Sequence, residues 1–170
     1  MNNLEIKLLS NNATMPTRSN STDAGLDIYA SETVILEPQQ KALISTDVAV
    51  NIPQGYVGLL TSRSGVSSKT DLVIETGKID AGFQGNMKIN VKNDCQFIGE
   101  NYLQDFMLDI KRKEFPTIKS NIKLGTYQIN KGDKLAQLVI VPIVTPELQE
   151  VKEFTSESER GANGFGSTGY

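Results

Sequence analysis

Histidine is absent from the 170 residues, and cysteine occurs once, as Cys95. The first absence excludes Ser-His and Cys-His catalysis and any imidazole metal site within one chain. The second excludes an intrachain disulfide and a thiolate zinc cage, and it agrees with a reducing compartment. Any metal must then be a hard, oxygen-ligated ion, with Mg2+ the leading candidate. A strong charge of one sign is also missing. There are 17 Lys and Arg against 20 Asp and Glu, a net charge of −3, so nothing points to non-specific nucleic-acid binding. Long apolar runs are lacking too. The longest, Leu138 to Val144, is interrupted by Pro142 and is far too short to span a bilayer. The start, Met1-Asn-Asn-Leu-Glu-Ile-Lys, has neither the charged nor the apolar region of a signal peptide. These absences predict a soluble cytoplasmic protein with no membrane partner. The length suits one domain with a real core.

What is present reads mostly as strand. Leu4-Glu-Ile-Lys-Leu alternates with period two, and similar runs begin at Thr33, Ala42, Val48, Tyr56, Met87, Thr126 and Leu135. Turn signals at Glu37-Pro38, Pro53-Gln-Gly55 and Asn130-Lys-Gly-Asp133 separate them. Many short strands with regular turns predict an all-β barrel or jelly roll.

The rhythm stops over residues 94–124. This stretch carries five acids, five bases and four aromatics: Phe97, Tyr102, Phe106 and Phe115. Leu103, Phe106, Met107 and Ile110 share one helical face, Asn101 is a candidate cap and Pro116 a stop. The expectation is an inserted segment with a short amphipathic helix, although Phe106, Leu108 and Ile110 also alternate as a strand would. The expected organisation is a β-barrel core over 1–93 and 125–150, the insertion over 94–124, and a flexible C-terminal arm over 151–170.

The end of that arm, Arg160-Gly-Ala-Asn-Gly-Phe-Gly-Ser-Thr-Gly-Tyr170, cannot bury enough apolar surface to fold alone. Its chemistry suits a ligand. Arg160 offers a planar fork for phosphate, Phe165 an aromatic face, and the glycines allow close approach of backbone N–H groups.

Four further segments precede it: Asp23-Ala-Gly-Leu-Asp-Ile-Tyr-Ala30, Thr61-Ser-Arg-Ser-Gly65, Gly77-Lys-Ile-Asp-Ala-Gly-Phe-Gln-Gly85 and Lys131-Gly-Asp-Lys-Leu-Ala-Gln-Leu-Val139. Taken alone, Asp-Ala-Gly, Arg-Ser-Gly and Ile-Asp-Ala-Gly are common turn sequences. In this order, and ending in Arg-Gly-x-x-Gly-Phe-Gly-Ser-Thr-Gly, they resemble the five motifs of the trimeric dUTPases. The overall chain is most similar in appearance to the members from staphylococcal phages, which also carry an insertion between the third and fourth motifs.

The resemblance implies a jelly roll assembled as a homotrimer, with active sites at subunit boundaries. It implies hydrolysis of dUTP to dUMP and pyrophosphate with Mg2+. Asp80 would be the general base that activates water. Arg63 and Ser64 would hold the phosphates near the scissile bond, with Gly65 admitting main-chain amides and Gln137 donating its amide. Asp27 would hold Mg2+ through ordered waters. Gly77, Lys78 and Ile79 would belong to the main-chain hairpin that reads uracil, and cytosine would be rejected because its amino donor would face a backbone donor. Phe83, where most relatives have tyrosine, would lie under the deoxyribose. Arg160, Phe165, Gly166, Ser167 and Thr168 would close over the nucleotide, with Phe165 stacked on the base. Two other readings stand beside this one. A dCTP deaminase of the same fold would use a catalytic glutamate and lack this arm. A regulatory protein would use the nucleotide site as a switch, with residues 94–124 binding a repressor of a mobile genetic island. For a phage-encoded chain the location would be the host cytoplasm.

Overall fold

The computed structural model describes residues 3–117 and 121–163. Among the described residues fifteen strands and one short helix follow in order. The first eight strands are β1 (Glu5–Leu8), β2 (Gly25–Tyr29), β3 (Val34–Leu36), β4 (Lys41–Ser45), β5 (Val48–Asn51), β6 (Tyr56–Ser62), β7 (Leu72–Ile74) and β8 (Gly77–Ile79), with α1 (Ser64–Lys69) between β6 and β7. The remainder are β9 (Lys88–Asn93), β10 (Leu103–Gln104), β11 (Phe106–Leu108), β12 (Glu114–Pro116), β13 (Ile122–Lys123), β14 (Tyr127–Ile129) and β15 (Lys134–Pro142). They form sheets ordered β2-β15-β6-β8, β4-β9-β7 and β12-β11-β14-β3, with two-stranded pairs β1-β5 and β10-β13. The architecture is the expected jelly roll.

The core lies where these sheets face one another. Ile28, Leu60 and Leu138 come from the first sheet, Ile44, Ile89 and Leu72 from the second, and Leu36, Tyr127 and Ile129 from the third. β9 shows how the sequence selects this: inward Ile89, Val91 and Asn93 are buried while Lys88 is exposed and Asn90 and Lys92 are partly covered, the period-two pattern of a strand with one covered face. Tyr127 is fully buried yet keeps its polar end satisfied. Its hydroxyl donates to Asp71 Oδ2 at 3.0 Å and accepts from the Asp71 amide at 3.3 Å.

The helix expected in the insertion is not formed. Over residues 103–123 the described backbone runs as β10 to β13, and the one helix among the described residues is α1, directly after Arg63. The strand-like alternation prevails. Met107 is buried while Phe106 and Leu108 on either side are half-exposed. β11 finds hydrogen-bonding partners on both sides, antiparallel to β12 and parallel to β14, where Leu108 meets Tyr127. An isolated helix of so few residues is marginal in water, whereas sheet pairing places Met107 and Ile110 inside, at 5% and 9% exposure.

The ends of this segment are pinned together. Asn93 is fully buried, and its Nδ2 donates to Leu36 O at 3.0 Å and Gly125 O at 2.9 Å. Its Oδ1 accepts from the Cys95 amide at 3.1 Å. Gly125 has φ +85, and a Cβ there would fall 2.3 Å from Cys95 Sγ, so both backbone hand and space demand glycine.

Candidate active site

The central feature is a register. On β15, Gln137 pairs with Asp27 of β2 on one side and Thr61 of β6 on the other. The three strands therefore bring the first, second and fourth motifs to one place. Gln137 Nε2 donates to Ser62 O at 3.2 Å. Gly25 makes room for it, since a Cβ there would lie 2.6 Å from Gln137 Oε1 and 3.1 Å from Gln137 Cβ.

Arg63 follows β6 in an extended conformation, φ −83 and ψ 137, and its side chain reaches β2. Its Nε meets Asp27 Oδ1 at 2.7 Å, and its Nη1 donates to Lys134 O at 3.2 Å. The other carboxylate oxygen of Asp27 pairs with Lys134 Nζ at 2.9 Å. Asp27 is only 8% exposed, so one covered carboxylate organises two cations. The hydrogen bond to Asp27 pushes the Lys134 ammonium above the usual lysine range, and Lys134 also sits 5.7 Å from the Tyr29 ring centroid, a cation–π distance.

Ser64 opens α1 and Gly65 follows it in the first turn. The helix is anchored by buried Val66 and closed by Thr70, whose hydroxyl donates to Val66 O at 2.7 Å. Ser67 Oγ also donates to Arg63 O at 3.2 Å. Ser19, Asp23, Asp27, Arg63, Ser64 and Gln137 line one open cleft of about 320 Å³. The Arg63 guanidinium and the Gln137 amide suit phosphate oxygens, and the hard oxygens of Asp23 and Asp27 suit Mg2+ carried on them.

Asp80 and Phe83 are elsewhere. They line a second cleft of about 340 Å³ with Lys78, Ile79, Asn86 and Met87, and no described residue lines both. The register explains the separation. β8 runs antiparallel to β6 with Gly77 opposite Leu60 and Ile79 opposite Gly58. Asp80 thus leaves the sheet near Val57, at the end of β6 remote from Arg63. Six strand residues span roughly 20 Å. Gly77, Lys78 and Ile79 form β8 itself, and the Phe83 amide donates to Asp80 O at 3.1 Å, closing the turn that presents Asp80 to solvent.

The expected site is therefore assembled in part. Asp27, Arg63, Ser64, Gly65 and Gln137 come together, while Asp80 and Phe83 form a separate group. Arg160 is exposed and its Nε donates to Asn163 O at 2.8 Å in a local turn. Phe165, Gly166, Ser167 and Thr168 lie outside the described residues. Reading the residues alone missed Lys134, although it stands three positions before Gln137. Its contact with Asp27 depends on the register shift of β15 against β2 between Lys134 and Ala136, which no local pattern announces. Among the described residues no cluster of three or more acidic or thiol side chains stands ready for a metal.

The dUTPase family model matches residues 11–98 and 118–169. The chain belongs to the dUTPase family. The interruption of the match falls within the inserted strands. Among solved structures, the dUTPase of Staphylococcus bacteriophage 80alpha with dUpNHpp is 60% identical, covers 100% of both chains and superposes with a TM-score of 0.94. It is described as controlling transfer of virulence genes by a G protein-like mechanism. The dUTPase of phage phi11 of S. aureus, described as having a species-specific insert, is 63% identical over 92% of this chain and 100% of that one, with a TM-score of 0.87. A D-to-N variant of the phi11 enzyme is described as revealing coordination of a structural Mg(II) ion. Among curated relatives, the deoxyuridine 5'-triphosphate nucleotidohydrolase of Clostridium tetani is 34% identical over 168 residues, covering 98% of this chain and 96% of that protein.

Proposed function

We propose that this dUTPase hydrolyses dUTP between the α- and β-phosphates, giving dUMP and pyrophosphate, in sites shared between neighbouring copies of a homotrimer. The observation that carries the shared site is the separation of Asp80 from Arg63. A base that activates water and the groups that hold the attacked phosphate must lie within a few ångströms of one reacting centre. Within one chain they stand roughly 20 Å apart along the sheet, so the two clefts must be completed by different copies.

In this reading Asp80 takes the proton of the attacking water. Arg63 and the Gln137 amide hold phosphate oxygens, and Ser64 donates where charge develops on the bridging oxygen. Bound Mg2+ would neutralise phosphate charge, held by Asp27 through waters. Gly65 admits main-chain amides. Gly77, Lys78 and Ile79 present β8 main chain to uracil, and Phe83 lies under the deoxyribose. Arg160 and the arm beyond it, Phe165, Gly166, Ser167 and Thr168, close the site and exclude water. The product would supply dUMP for thymidylate synthesis in the cytoplasm. The membership of the dUTPase family favours this chemistry over deamination.

The test is complementation. Asp80→Asn and Arg63→Ala are each expected to abolish pyrophosphate release from dUTP, a base alone contributing about 10²–10⁴ in rate. Asp80→Asn should keep dUpNHpp binding within about tenfold, since Asn preserves size but accepts no proton. Unfolding and refolding the two variants together should restore activity, because mixed trimers contain sites with both native groups. No recovery in verified mixed trimers would overturn the shared site. Release of ammonia from dCTP would overturn the reaction.

A second role rests on the insertion. Phe97, Ile98, Tyr102 and Leu103 are each about half exposed, and aromatic side chains such as Phe97 and Tyr102 are enriched at protein interfaces. We propose that residues 94–124 bind a protein partner, a repressor encoded by a mobile genetic island, under control of bound nucleotide.

A further inference from the structure

The loop that carries Asp80 leaves β8 and must return to β9. Its return runs along β5. Gln84 Nε2 donates to Asn51 Oδ1 at 3.0 Å, and the Met87 amide donates to Val48 O at 2.9 Å. Neighbouring carbonyls of a strand point to opposite sides. Val48 O faces the loop, whereas Asp47 O accepts from the Leu9 amide, after β1, at 2.8 Å. β5 is thus held between β1 and the catalytic loop.

Asp47 stands just before this strand with φ +52, a left-handed conformation that favours glycine. Its side chain gives the conformation a use. Asp47 Oδ1 accepts from Asn86 Nδ2 at 2.9 Å and from Ser45 Oγ at 2.5 Å, and Oδ2 accepts from Ser10 Oγ at 2.5 Å. Asn86 Nδ2 also donates to Ser45 Oγ at 2.7 Å. These bonds, that from Ser10 first, hold the Asp47 carboxyl below the usual carboxylate range, so it is an acceptor throughout the neutral range. Asn86 lines the same cleft as Asp80 and Phe83.

We infer that Asp47 is a positioning residue for hydrolysis: through Asn86 it fixes the return of the loop that carries Asp80, and so the placement of that carboxylate against the nucleotide. The inference rests on Asp80 being the base. The loop has a rigid start, β8, and at its other end Asp47 is the charged acceptor for Asn86, beside the Asn86 bond to Ser45 Oγ, the Thr46 Oγ1 bond to Met87 O, the main-chain bonds and Gln84. A displacement of about 1 Å at a reacting group costs up to roughly a hundredfold in rate.

Glycine at position 47 relieves the backbone while removing the carboxylate, so it separates positioning from stability. Asp47→Gly is expected to lower kcat for dUTP about tenfold, with KM and dUpNHpp affinity within twofold and the thermal midpoint little changed. Asn86→Ala should give the same loss, and the double variant should be no worse than either single one. Asp47→Asn should retain most of kcat, because an amide oxygen still accepts from Asn86 and Asn tolerates the left-handed backbone. A kcat within twofold of the native value in Asp47→Gly overturns the inference. So do losses that multiply in the double variant, or a loss in Asp47→Gly that tracks a fall in thermal midpoint and dUpNHpp binding. Should Asp80→Asn itself remain active, the base assignment fails, whatever Asp47 does.

Discussion

Asp27 and Arg63 meet at 2.7 Å because β15 separates and aligns their strands, with Gln137 between them in register. The pair has a third member, Lys134, on the opposite carboxylate oxygen. In the proposed mechanism this carboxylate is the anchor for Mg2+.

Asp27→Asn is expected to raise the Mg2+ concentration for half-maximal hydrolysis by about tenfold, the usual scale for losing a group that orients metal-bound ligands. Without Mg2+, dUpNHpp should bind no more weakly than to the native protein, because a negative charge beside the phosphates has been removed. Titration of activity with Mg2+ and calorimetry in EDTA check the two halves. An unchanged Mg2+ requirement contradicts the assignment.

Truncation after Glu159 is expected to leave folding and assembly intact and to remove most of the activity. Described residues 147–163 are exposed throughout, so their loss leaves no cavity, yet the arm carries Arg160 and Phe165. Circular dichroism, sedimentation and pyrophosphate release are the measurements. Native kcat/KM in the shortened protein would remove the arm from the mechanism.

The insertion should divide into two kinds of position. Ile110→Ala empties a core site and is expected to cost about 2–4 kcal/mol in denaturant unfolding. Tyr102→Ala, at 55% exposure, should change stability by less than about 0.5 kcal/mol and leave dUTP hydrolysis within twofold. It should weaken binding of a cognate repressor by tenfold or more if Tyr102 is an interface hot spot. Equal destabilisation by both substitutions would contradict this division.

Alkaline stability should report Tyr127. Burial raises its phenol to about 12, against about 10 in the unfolded chain. The native state therefore holds this proton more tightly. The associated stabilisation is complete below pH 10 and is lost as pH rises from 10 through 12, on the order of 2 kcal/mol in all. Tyr127→Phe should be less stable by about 1 kcal/mol at pH 7, having lost the bond to Asp71. It should fall less steeply than the native protein between pH 10 and 12. Parallel curves over that range would show that the Tyr127 proton is not linked to folding.

The sequence by itself determined the strand-rich class, through period-two burial such as that of β9, and the absence of histidine chemistry and of an intrachain disulfide. It also determined the order of the motif residues, because glycines, Arg63, Asp80 and Gln137 are spaced locally and their pattern survives without neighbours. The insertion was legible as a break in turn rhythm. Its conformation was not, because Leu103, Phe106, Met107 and Ile110 satisfy a helical face as well as Phe106, Leu108 and Ile110 satisfy a strand. The choice came from β14 and β12, whose edges accept β11 on either side. Tertiary structure alone decided that Lys134 meets Asp27, that Asn86 rests on Asp47, and that Asp80 stands apart from Arg63. Each depends on strand register, and register is set by which distant segments pair and which faces they bury, information that no local stretch of sequence carries.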